Sequence, residues 1–104
     1  MITAMATFKL PKPLTLDEAR KIFLSTAPKY QDVPGLIRKY YVLSHDGSTV
    51  GGIYLWNSQA EAEAMYNESW RAFVREKYNT DPTVTYMDCP VVVDNVSHEI
   101  LSGA

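Results

Sequence analysis

Leu36 to Trp56 reads LIRKYYVLSHDGSTVGGIYLW, and this stretch decides the fold. Two runs rich in β-branched and aromatic residues, Leu36 to Ser44 and Thr49 to Trp56, flank His45-Asp46-Gly47-Ser48. Asp-Gly between two such runs is a strong hairpin signal, because glycine supplies the positive φ a tight turn needs. A two- or four-residue turn centred on Asp46-Gly47 sets Ser44 opposite Thr49 and Tyr40 opposite Ile53. Residues of opposite parity on the two strands then share a face. One face carries Leu36, Arg38, Tyr40, Val42, Gly51, Ile53 and Leu55. The other carries Ile37, Lys39, Tyr41, Leu43, Val50, Gly52, Tyr54 and Trp56. The first is the more aliphatic and is expected to pack under helices. The second, aromatic with polar tips, is expected to face away from them.

Working outward, Ile2 to Leu10 reads as a first strand, stopped by Pro11-Lys12-Pro13. Thr15 and Glu18 form a T-x-x-E capping box, so a helix follows. Its apolar face is Leu16, Ala19, Ile22, Phe23 and Thr26. Pro28 kinks or ends it, since proline lacks the amide and clashes with the preceding turn. Val33-Pro34-Gly35 is a firm stop. Beyond the hairpin, Ser58 and Glu61 make a second capping box. Ala62, Met65, Tyr66, Ser69 and Phe73 then keep helical spacing. Asn67-Glu68-Ser69 is a point where this helix divides, with Trp70, Phe73 and Val74 on the second piece. Thr83 to Val93 reads as the last strand, with Pro90 marking a bulge or edge, and Asp94 to Ala104 as a tail.

The order is β-α-β-β-α-β, the split βαβ pattern of a ferredoxin-like α+β fold. Four antiparallel strands with both helices on one side leave the other sheet face bare, which is unusual for a soluble monomer. A second copy in an isologous two-fold contact is the economical cover. The expected assembly is thus a homodimer, a dimeric α/β barrel whose interior holds a small hydrophobic or aromatic ligand.

Composition narrows the function. A chain of 104 residues supports one domain, here 1–104. A net charge of −2 and the lack of a Lys/Arg cluster argue against nucleic acid as a partner. A single cysteine, Cys89, makes no intrachain disulfide and no thiolate metal cluster, which fits a reducing, cytoplasmic setting. No basic segment followed by an apolar run opens the sequence, and no stretch approaches ~18 apolar residues, so neither signal peptide nor membrane span is expected.

Gly51-Gly52 lies inside a strand without a following Lys-Ser/Thr, so it is no phosphate loop. It marks either a bulge or a place where a ligand or a partner's side chain comes close. Tyr41, Tyr54 and Trp56 share a face with Lys39 and Gly52. They serve either as dimer core or as a pocket that stacks a flat substrate and orients it with hydroxyl and indole groups. Trp70 on the second helix joins them as a candidate substrate-binding residue. His45 in the turn and His98 in the tail read as solvated. No ligand spacing suggests a metal and no fingerprint suggests a cofactor. Cys89 reads as a small buried hydrophobe rather than a nucleophile. No residue stands out as a catalytic base.

Ala27-Pro28-Lys29-Tyr30, Val33-Pro34-Gly35-Leu36, Lys39-Tyr40-Tyr41, Gly51-Gly52-Ile53-Tyr54-Leu55-Trp56 and Pro90-Val91-Val92-Val93-Asp94-Asn95 occur in this order. With these pieces the sequence resembles the YdhR-type monooxygenase family of the dimeric α/β barrel superfamily. The resemblance spans residues 27 to 95, and the Gly51-to-Trp56 string is its most specific part. It implies the fold and a monooxygenase activity. Haem-degrading relatives in the superfamily carry a Trp and a His on the second helix. Here that helix offers Met65, Tyr66 and Trp70 but no histidine, which argues against haem degradation. The expected function is a cofactor-independent monooxygenase acting on a small aromatic or polycyclic substrate. The alternatives are a non-enzymatic ligand-binding or sensing dimer, or an isomerase or dehalogenase on the same scaffold.

Overall fold

A computed structural model describes residues 1–102. The chain runs β1 (Ile2–Lys9), α1 (Leu16–Thr26), a 3-10 turn (Ala27–Tyr30), β2 (Leu36–Leu43), β3 (Thr49–Trp56), α2 (Gln59–Met65), α3 (Glu68–Tyr78), β4 (Thr83–Asp88), β5 (Val92–Asp94) and β6 (Glu99–Leu101). Strands β1 to β4 form one antiparallel sheet in the order β2-β3-β1-β4, the ferredoxin-like arrangement the pattern predicts.

The hairpin forms in the expected register. Ser44 N donates to Thr49 O at 2.9 Å, closing a four-residue loop. Gly47 adopts φ +77 there, a conformation glycine takes without steric cost. Asp46 Oδ1 accepts from Ser48 N, Ser48 Oγ and Ser44 Oγ, which pull its carboxyl down to about 2. Tyr40 pairs with Ile53 and Leu43 with Val50. A bulge at Ile37 breaks the pattern at the far end, setting Leu36 opposite Trp56. Leu36 thereby moves to the face of Trp56 and packs against the core. The strand glycines form no bulge: Gly51 and Gly52 keep regular register with both neighbouring strands.

The Thr15 capping box is complete, with Glu18 N donating to Thr15 Oγ1 and Thr15 N donating to Glu18 Oε1. The second box is half built. Glu61 N donates to Ser58 Oγ, but the Glu61 carboxylate accepts from the Ser58 hydroxyl rather than its amide. Asn67 divides the second helix by capping α3: its Oδ1 accepts from Trp70 N at 2.9 Å. On α1, Ala19 and Thr26 are buried, but Leu16 is exposed.

The face assignment is reversed. Val50, Tyr54 and Trp56 pack with Ala62, Tyr66, Trp70 and Val74 of the helices, together with Ala4, Ala6 and Phe8 of β1. The parity sets stand, but the aromatic set faces the helices and the Ile53 set faces away. The reason lies in β1, where Ala4 sits opposite Tyr54 and Ala6 opposite Gly52. These small side chains leave depth under the helices for large rings, whose polar tips find partners there. Trp56 Nε1 donates to Tyr66 Oη at 3.1 Å. On the opposite face Tyr40 is 52% and Met87 60% exposed, and Met5 is exposed beside them.

The last strand is shorter than expected. β4 ends at Asp88, just before Pro90, and the expected tail instead folds into the β5–β6 hairpin. Arg38 Nη2 bonds Asp94 Oδ2 at 3.2 Å, tying that hairpin to β2. Residues 103–104 of the tail lie outside the described residues. Cys89 lies past the strand end and is half-exposed, so it is not the buried hydrophobe expected.

Candidate functional site

Alternation along β2 and β3 points Lys39, Tyr41, Gly52 and Tyr54 toward the helices. The 3-10 turn adds Tyr30, and α3 adds Trp70, Phe73 and Tyr78, closing a chamber between sheet and helices. Five of the six candidate residues therefore meet in one place. They meet on the helix side of the sheet, not on the bare side where a barrel interior would lie. Trp56, the sixth, does not line the chamber: it is fully buried in the neighbouring core.

Lys39 is the centre of the site. Its Nζ lies 3.3 Å from the Tyr30 ring centroid, 3.8 Å from that of Tyr41 and 4.7 Å from that of Tyr54. The ring faces attract a cation, but three aromatic walls also strip it of water. None of the ion pairs among the described residues includes Lys39. Burial, aided by the nearby Lys29 charge, pulls its ammonium down to about 7. Gly52 makes the arrangement possible. A Cβ there would sit 2.7 Å from Tyr54 Cε1 and 3.0 Å from Lys39 Cε, so the missing side chain is the space those two groups occupy.

The tyrosines are held by polar contacts at their tips. Thr26 Oγ1 donates to Phe23 O at 3.1 Å, which leaves the Tyr41 hydroxyl as donor in the 2.8 Å contact with Thr26 Oγ1. Trp70 Nε1 donates to Tyr30 Oη at 3.1 Å. Burial raises the hydroxyls of Tyr30, Tyr41, Tyr54 and Tyr66, and lifts Tyr78 to about 12. All stay protonated near neutrality.

The chamber is nearly closed, with a cavity of about 20 Å³, room for roughly one water. Outside it lies a groove of about 450 Å³ between the Lys29–Pro34 segment and helices α2 and α3, lined in part by Glu61, Met65, Asn67 and Ser69. Tyr30 and Trp70 line both spaces, so their hydrogen-bonded rings form the wall between them.

Sequence reasoning missed Tyr30, Phe73 and Tyr78 as site residues. Tyr30 follows Pro28 in an irregular turn, where periodicity assigns no face. Phe73 lies one helical turn beyond Trp70, and that register is a usable signal. Phe73 carries Lys29 Nζ 3.5 Å above its ring. His45 and His98 are exposed, as read. No group of three or more His, Cys, Asp or Glu side chains gathers among the described residues.

A ferredoxin-like sheet roofed by helices, with a half-buried lysine in an aromatic chamber between them, defines the class: a compact α+β protein with a small chamber under its helices. The chain belongs to the family described as "Putative mono-oxygenase ydhR", whose model matches residues 5–86. No curated protein sequence matches it. Among solved structures it is similar to the monooxygenase of the ActVA-Orf6 gene of Streptomyces coelicolor in complex with nanaomycin D. The two share 21% identity over 85% of this chain and 86% of that one, with a TM-score of 0.64. SnoaB, a cofactor-independent oxygenase from Streptomyces nogalater, is 14% identical over 85% and 91% of the two chains, TM-score 0.61. Rv0793 from Mycobacterium tuberculosis is 16% identical over 86% and 95%, TM-score 0.60. At these identities the likeness is one of fold.

Proposed function

We propose that this chain is a cofactor-independent monooxygenase acting on a flat aromatic, polyketide-like substrate bound between the sheet and the helices. The observation that carries the reading is the chamber itself: Lys39 among the rings of Tyr30, Tyr41 and Tyr54, adjoining a groove large enough for a polycyclic ligand. Family membership and the nanaomycin D complex of a structural neighbour support it. Such chemistry asks little of a protein. An electron-rich substrate anion reduces O2 directly, and the protein excludes water, orients the rings and favours the anion. Lys39, Tyr41, Gly52, Tyr54 and Trp70 form the substrate-binding set, joined by Tyr30.

The working unit is a homodimer. Tyr40, Met5 and Met87 on the bare sheet face, with Val93 and Ile100 on the β5–β6 hairpin, are exposed apolar side chains that a second copy would cover. The half-exposed Cys89 thiol fits a reducing, cytoplasmic compartment.

The test is oxygen uptake with a panel of anthrone- and quinol-type substrates, using the purified protein without added flavin or metal. Consumption of O2 that depends on protein and substrate is expected. The near-closed inner cavity favours a second reading, a binding or sensing protein. Saturable binding of the same compounds without oxygen uptake would support that reading and defeat the first.

A further inference from the structure

We infer that Lys39 is the general base of this site: its Nζ, reached past the Tyr30–Trp70 wall, takes the proton whose removal makes the substrate reactive toward O2. This rests on the oxygenase reading above and supplies the base that reading lacks.

Geometry leaves few other groups for the task. The titratable side chains that line the chamber with Lys39 are Tyr41 on its own strand, Tyr54 on β3, Tyr30 on the 3-10 turn and Tyr78 on α3, with the Lys29 charge nearby; on its outer side Lys39 shares a surface pocket with Asp32 and Arg38. The tyrosines keep their protons near neutrality because burial disfavours the phenolate. Neither histidine lies in the chamber, and no carboxylate lines it among the described residues. A lysine in this setting offers a lone pair at neutral pH, which an exposed lysine does not. Its position also suits the later steps, because the ammonium it becomes is held beside the anion it has created.

The cycle balances with O2 as the named co-reactant. Nζ takes H⁺ from an activated ring CH2, leaving a carbanion delocalised into the ring system. The carbanion gives an electron to O2, and the radical pair combines to form a C–O bond and a peroxide anion. That anion recovers the proton from the Lys39 ammonium. Loss of the remaining C–H proton with O–O cleavage forms the carbonyl and releases water. The substrate supplies all the electrons, one oxygen atom enters the product, and Lys39 ends as it began.

Substrate reaches Nζ if the Tyr30 ring swings outward. Tyr30 and Trp70 line both the outer groove and the inner cavity, and the bond between them is one neutral hydrogen bond. Opening that wall joins the two spaces, so that a polycyclic ligand lies in the groove with its reactive carbon at Nζ.

The experiment has two arms. The first titrates the Lys39 side chain by NMR of the εCH2 and Nζ signals, with no substrate present. The second measures the pH profile of kcat/KM for oxygen uptake in wild type, Lys39→Met and Lys39→Arg. The expected results are an Nζ midpoint near 7, a wild-type profile that rises through the same pH, and a loss of about 10²–10⁴-fold in both variants. Lys39→Arg keeps the charge but cannot give up its proton, so it separates a base from a mere counter-charge. Lys39→Met needs no charge in the chamber and guards against an arginine variant that misfolds. An Nζ midpoint of 10 or above overturns the assignment. So does an active wild type whose arginine variant keeps the rate and the pH profile. A wild type that consumes no oxygen with any substrate overturns the oxygenase reading instead, and the base with it.

Discussion

At Lys39 the proposed chemistry and the stability of the fold pull in opposite directions. Its ammonium titrates near 7 in the folded chain against 10.5 for an ordinary lysine. Between these values the unfolded chain binds a proton that the folded chain does not, so stability rises with pH across that window. Below pH 7 both states carry the proton, and the full cost of a charge among three rings is present. Lys39→Met removes the charge and keeps most of the stem. It should therefore raise stability most below pH 7, by about 2–4 kcal/mol, with the difference fading between pH 7 and 10.5. Melting midpoints of the two proteins from pH 5 to pH 10 check this. A constant difference at all pH values would mean that the lysine is solvated in the folded state. Site residues that weaken the fold are expected where a reactive group must be kept short of water.

Among the elements, β3 bears the most constraint because it is central and its two glycines answer different neighbours. Gly52 yields space to Tyr54 and Lys39 on the helix side. Gly51 faces the other way, where an added Cβ would collide with the Ala6 carbonyl oxygen of β1. The first clash involves side chains, one of them flexible. The second involves backbone, which has to shift a strand to relieve it. Gly51→Ala should therefore destabilise by roughly 1–3 kcal/mol, against the usual gain of an alanine in a strand. Denaturant midpoints decide the point, and an unchanged midpoint would show that the β1–β3 ladder is looser than described. The division of the second helix at Asn67 is equally purposeful. Capping α3 by the Asn67 side chain fixes Trp70 three residues on, and Trp70 is half of the chamber wall.

For the whole molecule, the consequence of turning the aromatic face inward is that the other face is the one on which the proposed dimer depends. It is a mixed surface, with Thr3, Thr7 and Arg38 beside Met5, Tyr40, Ile53 and Met87. A second sheet laid on it would bury the apolar part while the threonines remain easy to accommodate. Met5→Lys places a charge on the central strand of that face without touching the helix side. It should leave the fold intact, by circular dichroism, and convert a dimer to a monomer in light scattering at micromolar concentration. A wild-type monomer under the same conditions would remove the dimer from the proposal. The chamber, lying on the helix side of each chain, would be present in duplicate in such a dimer.

The hairpin register, the full cap at Thr15, the break at Asn67 and the β-α-β-β-α-β order are local features, and the sequence alone determined them. Turn geometry, cap chemistry and period-2 alternation act over a few residues and need no partner. The same rules assembled five of the six candidate residues, because side chains of one parity on paired strands must share a face. Which face meets the helices was decided only in three dimensions. Aliphatic content pointed to Ile53 and Leu55, yet Tyr54 and Trp56 meet the helices, while Leu55 is buried on the opposite face. The choice depends on Ala4 and Ala6 of a strand some fifty residues away, and on Tyr66 offering its oxygen to the Trp56 indole. A hint was available in β1, whose even positions Ala4, Ala6 and Phe8 alternate with Thr3, Met5 and Thr7. Tyr30 and the depressed Lys39 ammonium were beyond sequence altogether, because an irregular turn has no period and desolvation is a property of everything packed around a charge.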